Sequence, residues 1–332
     1  MAAILAAASI AALLAQAKPG DTVVVPAGDY ANESLSGLSF SPAVTLDARA
    51  AKVTTFTAKD VTGLHVLGGT WANAIGETWA GHTWAFAVDC ERCHDVTFDR
   101  ATVTGPPPDA PGRDFAGFGI SFLSSDHVAV TNSKFTGFRA GLVFSLTGDF
   151  VARGNDFGFM TSDGLDVGQG WRGVIEDNVF HDTHIIAKEH PDGIQMWSRP
   201  NAPPTSDIVI RRNKVTGGSQ GISGFDAALK EPAGYKLADG RVLEKEEAVP
   251  NGGYERITIE DNDVSVGFTN AIALVNARDS VIRNNRVSTI EDSRYPARIV
   301  MRPDDSGVKH CGNTVQPGAG RPGWDDGRCP KR

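Results

Sequence analysis

The sequence predicts an all-β chain wound as a parallel β-helix, and three observations carry that expectation. A short alternating apolar segment, two polar residues and then Asn-x-Phe/Val recur as FVARGNDF at 150, VIEDNVF at 174, IVIRRNKV at 208, ITIEDNDV at 257, VIRNNRV at 281 and VKHCGNTV at 308. Measured at the Asn position, with looser copies at 101 and 133, the intervals are 32, 22, 23, 35, 49, 23 and 28, so the unit is 22–23 residues and the longer intervals hold insertions. Each unit also carries a second short strand opening on a small residue, among them Gly141-Leu142-Val143-Phe144, Gly164-Leu165-Asp166-Val167, Gly193-Ile194-Gln195-Met196 and Ala271-Ile272-Ala273-Leu274. Alternation sends the Ile/Leu and Phe/Val/Met residues inward and the middle residue outward. No helical segment lies within the unit, which sets aside a leucine-rich horseshoe of similar period.

A chain of 332 residues then reads as one elongated domain that grows by adding coils rather than by thickening a core. Residues 1–20 are expected to form an N-terminal capping helix: Ile10, Leu13, Leu14 and Ala17 fall at helical spacing, and the apolar start lacks the basic flank of a signal peptide. On this reading an export signal is not part of the chain. The first strand begins in PGDTVVVPAGDY. Insertions at 105–117, 200–206 and 224–254 are expected to wall a cleft at the edge that carries the site, the last bringing Asp226, Tyr235, Lys236 and Tyr254 as substrate contacts or simply covering the coil. Cys311 and Cys329 bracket a Gly/Pro-rich tail, 311–332, which they could staple, whereas Cys90 and Cys93 form a lone C-x-x-C without zinc-ligand partners.

Two columns fix the register. Asn155, Asn178, Asn213, Asn262, Asn285 and Asn313 are expected to stack as a ladder in one turn, with the short amide taking a left-handed backbone. Two residues earlier stand Arg153, Glu176, Arg211, Glu260 and Arg283, which bring opposite charges together between coils ~4.8 Å apart.

A net charge of -8 with no Lys/Arg cluster argues against nucleic-acid or anionic-membrane binding. No apolar run of spanning length follows residue 20, so no membrane span is expected. An even cysteine count with a stapled tail suits an oxidising, secreted or periplasmic setting, and the chain is expected to be a monomer.

Chemistry concentrates where the repeat says nearly the same thing twice. Ser162-Asp163-Gly164-Leu165-Asp166 returns as Pro191-Asp192-Gly193-Ile194-Gln195. The column before the small residue reads Phe118, Ala140, Asp163, Asp192, Gln220, Asn270, Ala297, and the next outward column reads Ser121, Val143, Asp166, Gln195, Ser223, Ala273, Val300. Polar groups crowd the middle coils and fade at both ends, whereas a requirement of the fold would act on every coil. Turn chemistry would explain the two Asp-Gly pairs but not Asp166 or Gln195. Carboxylates one coil apart repel when both are charged, which raises one pKa as acid/base work needs. Separations of ~5 Å, as in retaining glycosidases, and ~7–9 Å, as in inverting ones, both fit this patch.

His184, Lys188 and His190 precede Asp192. His190 and Lys188 are candidates for proton transfer or for neutralising a uronate carboxylate, while His184 is expected to be idle. Gln220, Trp197, Arg199, Trp171 and Tyr235 join Gln195 as candidate substrate contacts. No metal motif is read, and Ca²⁺ is the cation these carboxylates would take if one is used.

The stacked coils, the Asn ladder and the PGDTVVVPAGDY opening resemble the right-handed parallel β-helix proteins of the pectin-lyase-like superfamily, over roughly residues 8–320. Ser162-Asp163-Gly164-Leu165-Asp166 is similar to the N-T-D-G-x-D segment of polygalacturonase-like glycoside hydrolases, with Asp192 in the place of one Asp of their D-D pair and Gly218-Ser219-Gln220-Gly221-Ile222-Ser223 similar to G-G-H-G-x-S. Pro191, Gln220 and Val300 depart from that pattern. The resemblance implies an exported enzyme acting on a polysaccharide or oligosaccharide. Hydrolysis with Asp163, Asp166 and Asp192 is the first expectation; a lyase using Lys188 or His190, a C5-epimerase and a noncatalytic carbohydrate-binding β-helix are the alternatives.

Overall fold

The structure, a computed structural model, describes residues 9–332 apart from 74–77, 80, 81, 84, 107–116, 186–189, 226–228, 292, 294, 302–306, 319–321 and 330–332. The chain winds as a right-handed parallel β-helix, in which one 13-stranded and one 20-stranded sheet run the length of the molecule. Each coil contributes three strands, as in Gly148–Arg153, Asp156–Gly158 and Leu165–Gly168. The first joins the smaller sheet and the other two the larger. The repeat pattern had announced only two strands per coil. The third, such as Lys134–Thr136 or Val179–His181, is three residues long and shows a single inward side chain, too little for a period of two to register. Those single residues nevertheless build the core, with Phe135, Phe157 and Phe180 stacked at 4.7 Å between ring centres.

The Asn ladder runs from Asn155 to Asn313. In each rung the backbone N–H and Nδ2 of one Asn donate to Oδ1 of the next, at 2.9 and 3.0 Å from Asn213 to Asn262. The left-handed backbone belongs to the preceding residue rather than to the ladder Asn: Asp177, Arg212, Asp261 and Asn284 have φ of 58°, 53°, 56° and 55°. That residue turns the corner; the buried Asn then ties the corner to its neighbours.

The charge column is likewise in register, with Arg153 opposite Glu176 and Glu176 opposite Arg211. Glu176, 3% exposed, accepts from Arg153 Nε at 2.5 Å, Arg211 Nε at 2.6 Å and Arg212 Nη2 at 2.7 Å. Burial alone would raise its pKa; the guanidinium hydrogen bonds outweigh burial and bring it down to about 2. A carboxyl depressed on folding stabilises the native state above its unfolded pKa and loses that contribution as pH falls towards 2. Glu176→Gln is therefore expected to cost about 2–3 kcal/mol at neutral pH in urea unfolding, with the difference vanishing in strong acid.

At the N-terminal end the helix Ile10–Leu14 sits over the first coil, capped by Ser9 Oγ, which accepts from the Ala12 N–H, and tied down by the Ile10 N–H donating to Glu33 at 2.9 Å. Ile10 and Leu14 are buried, as their spacing implied, and residues 1–8 of the expected helix lie outside the described residues. At the other end, Thr314–Gln316 pairs antiparallel with Trp324–Asp325, and a Cys311–Cys329 disulfide closes the tail. The 224–254 insertion has its own order: Leu229–Glu231 pairs antiparallel with Glu247–Val249, and Leu237, Leu243 and Val249 form a satellite core with Tyr235 packed on it. Among the described residues no helix is long and apolar enough to cross a membrane.

Candidate active site

Three adjacent strands of the larger sheet, Leu165–Gly168, Asp192–Trp197 and Gln220–Phe225, carry the site. Asp166 stands opposite Gln195, Gln195 opposite Ser223, and Asp192 opposite Gln220. Asp163 lies one coil from Asp192, whose backbone N–H donates to Asp163 Oδ1 at 2.8 Å while the Gly164 N–H donates to the Asp192 carbonyl at 2.9 Å. The two Asp-Gly pairs are thus not turns. Their glycines are required by close packing: a Cβ on Gly164 would fall 2.3 Å from the Phe180 ring, and one on Gly193 2.6 Å from Val215.

All three carboxyl groups are buried, Asp163 at 6%, Asp166 at 8% and Asp192 at 2% exposure. Their partners differ. Asp192 accepts from the Ser223 hydroxyl and from Gln195 Nε2 at 3.0 Å, and His190 Nδ1 lies 3.9 Å from its Oδ2. Asp163 Oδ2 accepts from Ser162 Oγ at 3.2 Å. Asp166 Oδ1 is buried and has no hydrogen-bond partner among the described residues. Burial and then the Asp192 charge push the Asp163 pKa up to about 7, against the Asp192 N–H and Arg139. Burial, with Asp163 and Asp192 adding repulsion, pushes Asp166 well above the ordinary carboxylate range. His190 is shifted upward, chiefly by its pairing with Asp192.

A carboxyl whose pKa rises on folding holds its proton more tightly in the native state. Its contribution to stability is full below the ordinary value of 3.8 and is lost as pH rises towards about 7 for Asp163. Asp166→Asn, which keeps the shape of the protonated carboxyl but takes up no proton on folding, is therefore expected to stabilise the fold at pH 7 by about 1–2 kcal/mol in urea, and to leave stability unchanged near pH 3.

Asp192 opens onto a groove of about 530 Å³ lined also by His190, Gln195, Trp197, Gln220 and Phe225. Gln220 is held by Asn270, whose Nδ2 donates to its Oε1 at 2.5 Å. Asp166 adjoins this groove through its register with Gln195, but neither it nor Asp163 lines it. Trp197 covers Gly168, where a Cβ would fall 2.1 Å from its ring, and Arg199 stacks over the indole at 5.4 Å.

Other expected contacts lie elsewhere. Trp171 belongs to the smaller sheet and covers Gly148 there, because it opens the strand Trp171–Glu176 rather than ending a site strand. Tyr235 packs in the satellite core of the 224–254 insertion, and Tyr254 is fully buried with its hydroxyl donating to the Met196 carbonyl at 2.8 Å. His184 is exposed, and Lys188 and Asp226 lie outside the described residues. Phe225 and Phe268, both on the groove wall, were missed: Phe225 falls at the edge of the 224–254 insertion, and Phe268 lies in the short link between the strands Asp263–Val266 and Asn270–Val275, outside the repeating columns. Asp89 was missed as well. It stands opposite Ser121 and so extends the outward column one coil beyond it, two coils from Val143, its pKa raised by burial and then by Glu91.

No protein-family model matches the chain, and no curated protein matches it by sequence. Among solved structures, the Dettilon tailspike protein superposes with a TM-score of 0.59 at 13% identity, over 88% of this chain and 54% of that one. PfbA, a surface adhesin of Streptococcus pneumoniae, gives 0.49 at 11% identity over 88% and 83%, and an alginate lyase from Paenibacillus sp. gives 0.41 at 11% over 85% and 99%. The chain thus spans just over half of the tailspike chain. The likeness is one of fold, the right-handed parallel β-helix.

Proposed function

We propose that this protein is an exported enzyme that hydrolyses glycosidic bonds in a polysaccharide, with Asp163, Asp166 and Asp192 as its acid/base set. The observation that carries the reading is a trio of buried carboxyl groups on adjacent coils, one of which opens onto a groove walled by amides and aromatic rings. Their environments push their roles apart. Asp166, desolvated and unpartnered at Oδ1, holds its proton more tightly than an ordinary carboxyl and, next to Gln195 of the groove, serves as the acid of the set. Asp192, receiving hydrogen bonds from Ser223 and Gln195, serves as the carboxylate facing substrate or water. Asp163 positions Asp192 through its backbone N–H. Trp197 and Phe225 offer ring faces for sugars, and Gln195 and Gln220 offer amides for hydroxyls.

Elimination is less well served. A base must be free to accept a proton, whereas His190 is shifted toward its protonated form by Asp192. The Cys311–Cys329 bond supports export.

The test is digestion of a broad polysaccharide panel read for both reducing ends and ultraviolet-absorbing unsaturated products. Reducing ends alone support hydrolysis; unsaturated products would replace the reading with a lyase, and no cleavage at all would replace it with a binding protein. With a substrate in hand, activity is expected to fall as pH rises beyond about 7, where Asp163 releases its proton and adds a buried charge beside Asp192.

A further inference from the structure

Away from the carboxylate groove, the smaller sheet gathers two histidines and an aspartate at one edge. His94 opens the strand His94–Asp99, and Asp126 stands opposite it at the start of Asp126–Thr131, one coil on. His94 Nδ1 lies 2.6 Å from Asp126 Oδ1, and His127 Nδ1 lies 3.5 Å from Asp126 Oδ2. Each carboxylate oxygen therefore faces one imidazole nitrogen, and the two rings are 4.8 Å apart. We propose that His94, Asp126 and His127 form a binding site for a divalent transition-metal ion of the zinc class.

The surrounding charges sharpen the case. A residue near the start of each coil's run in this sheet takes a left-handed backbone, at Asp95, His127, Asp149, Arg172, Asp207 and Arg256, with φ between 49° and 58°. Where that residue is arginine it locks onto the aspartate one coil before, Arg172 on Asp149 at 2.7 Å and Arg256 on Asp207 at 2.6 Å. His127 breaks this rule. Asp95, its counterpart one coil before, faces His65 at 3.3 Å, and Asp149, 4.0 Å from His127, is occupied by Arg172. His127 is left with Asp126, which His94 already shares.

The donor atoms of the three residues all lie within 4.8 Å of one another on exposed or half-exposed side chains. Closing them onto an ion at ~2.0–2.2 Å needs only rotamer adjustment at the surface. Two imidazole nitrogens with one carboxylate suit Zn²⁺, Cu²⁺ or Ni²⁺ rather than Ca²⁺ or Mg²⁺, which prefer all-oxygen shells. Binding through Nδ1 requires that nitrogen's lone pair on each ring, so the hydrogen bond between His94 Nδ1 and Asp126 gives way to the ion, with a neutral ring carrying its proton on Nε2. The ion would then bridge two coils.

The experiment is calorimetric titration of the chelator-treated full chain with ZnCl₂ near neutral pH. One equivalent is expected to bind, with His94→Gln and His127→Gln each weakening that site at least about tenfold. Zinc is expected to raise the melting temperature of the parent chain and not of the double variant. No binding by the parent, or equal binding by both variants, overturns the site. Should a variant misfold, Cu²⁺ at one equivalent on the parent decides the matter: nitrogen hyperfine lines from two imidazoles support the site, and their absence refutes it.

Discussion

Asp192→Asn is expected to lower the hydrolytic rate by about 10³-fold while leaving the coil intact. The side chain keeps its volume, and Asp192's backbone N–H still reaches Asp163 and its carbonyl still accepts from Gly164. What is lost is the one carboxylate of the three that lines the groove. Neighbours that only orient should matter less, and Gln195→Ala is expected to cost about tenfold. The measurement is kcat on whichever polysaccharide the panel identifies, with urea unfolding as the control. Full activity in Asp192→Asn would remove this residue from the chemistry, and with it the acid/base assignment.

Asn213→Ala should be the most damaging change to stability, at about 4 kcal/mol. Its Oδ1 accepts from both the backbone N–H and Nδ2 of Asn178, and its Nδ2 donates to the Ile175 carbonyl and to Asn262. Truncation removes four hydrogen bonds in a corner where Asn213 is only 1% exposed and strands the Asn178 backbone N–H, while Asn178 Nδ2 keeps the Ala152 carbonyl and Asn262 Oδ1 keeps the residue-213 N–H. The exposed Arg212 beside it supplies a contrast. Its left-handed backbone, φ 53°, makes Arg212→Gly tolerable to the chain itself, so that change should cost chiefly the ion pairs to Asp177 and Glu176. A small loss for Asn213→Ala in chemical denaturation would mean that the ladder is ornament rather than framework.

The stacking of the coils was legible because identical residues recur at one spacing, and the pairing of Asp166 with Gln195 follows from that spacing alone. The same logic placed Gln220 beside Asp192. It failed wherever recurrence is silent. The three-residue strands hide in segments such as Lys134–Thr136, the left-handed corner lies one residue before the Asn that marks it, and Tyr254 turned inward because a hydroxyl at an insertion's end found the Met196 carbonyl. Burial was the other silent quantity. That Asp166 Oδ1 would be enclosed without a partner depends on how three coils close over it, which no single-column pattern encodes.

A pile of parallel coils has no inherent length, since every finished rim offers the next layer the same row of amides and carbonyls. Here the strand Trp324–Asp325, laid in the opposite direction against Thr314–Gln316 and moored by the Cys311–Cys329 bond, occupies part of that rim. It covers backbone groups of the kind that, left open at a sheet edge, invite pairing with another chain. Reduction of that one bond would free the segment that shields this end of the pile.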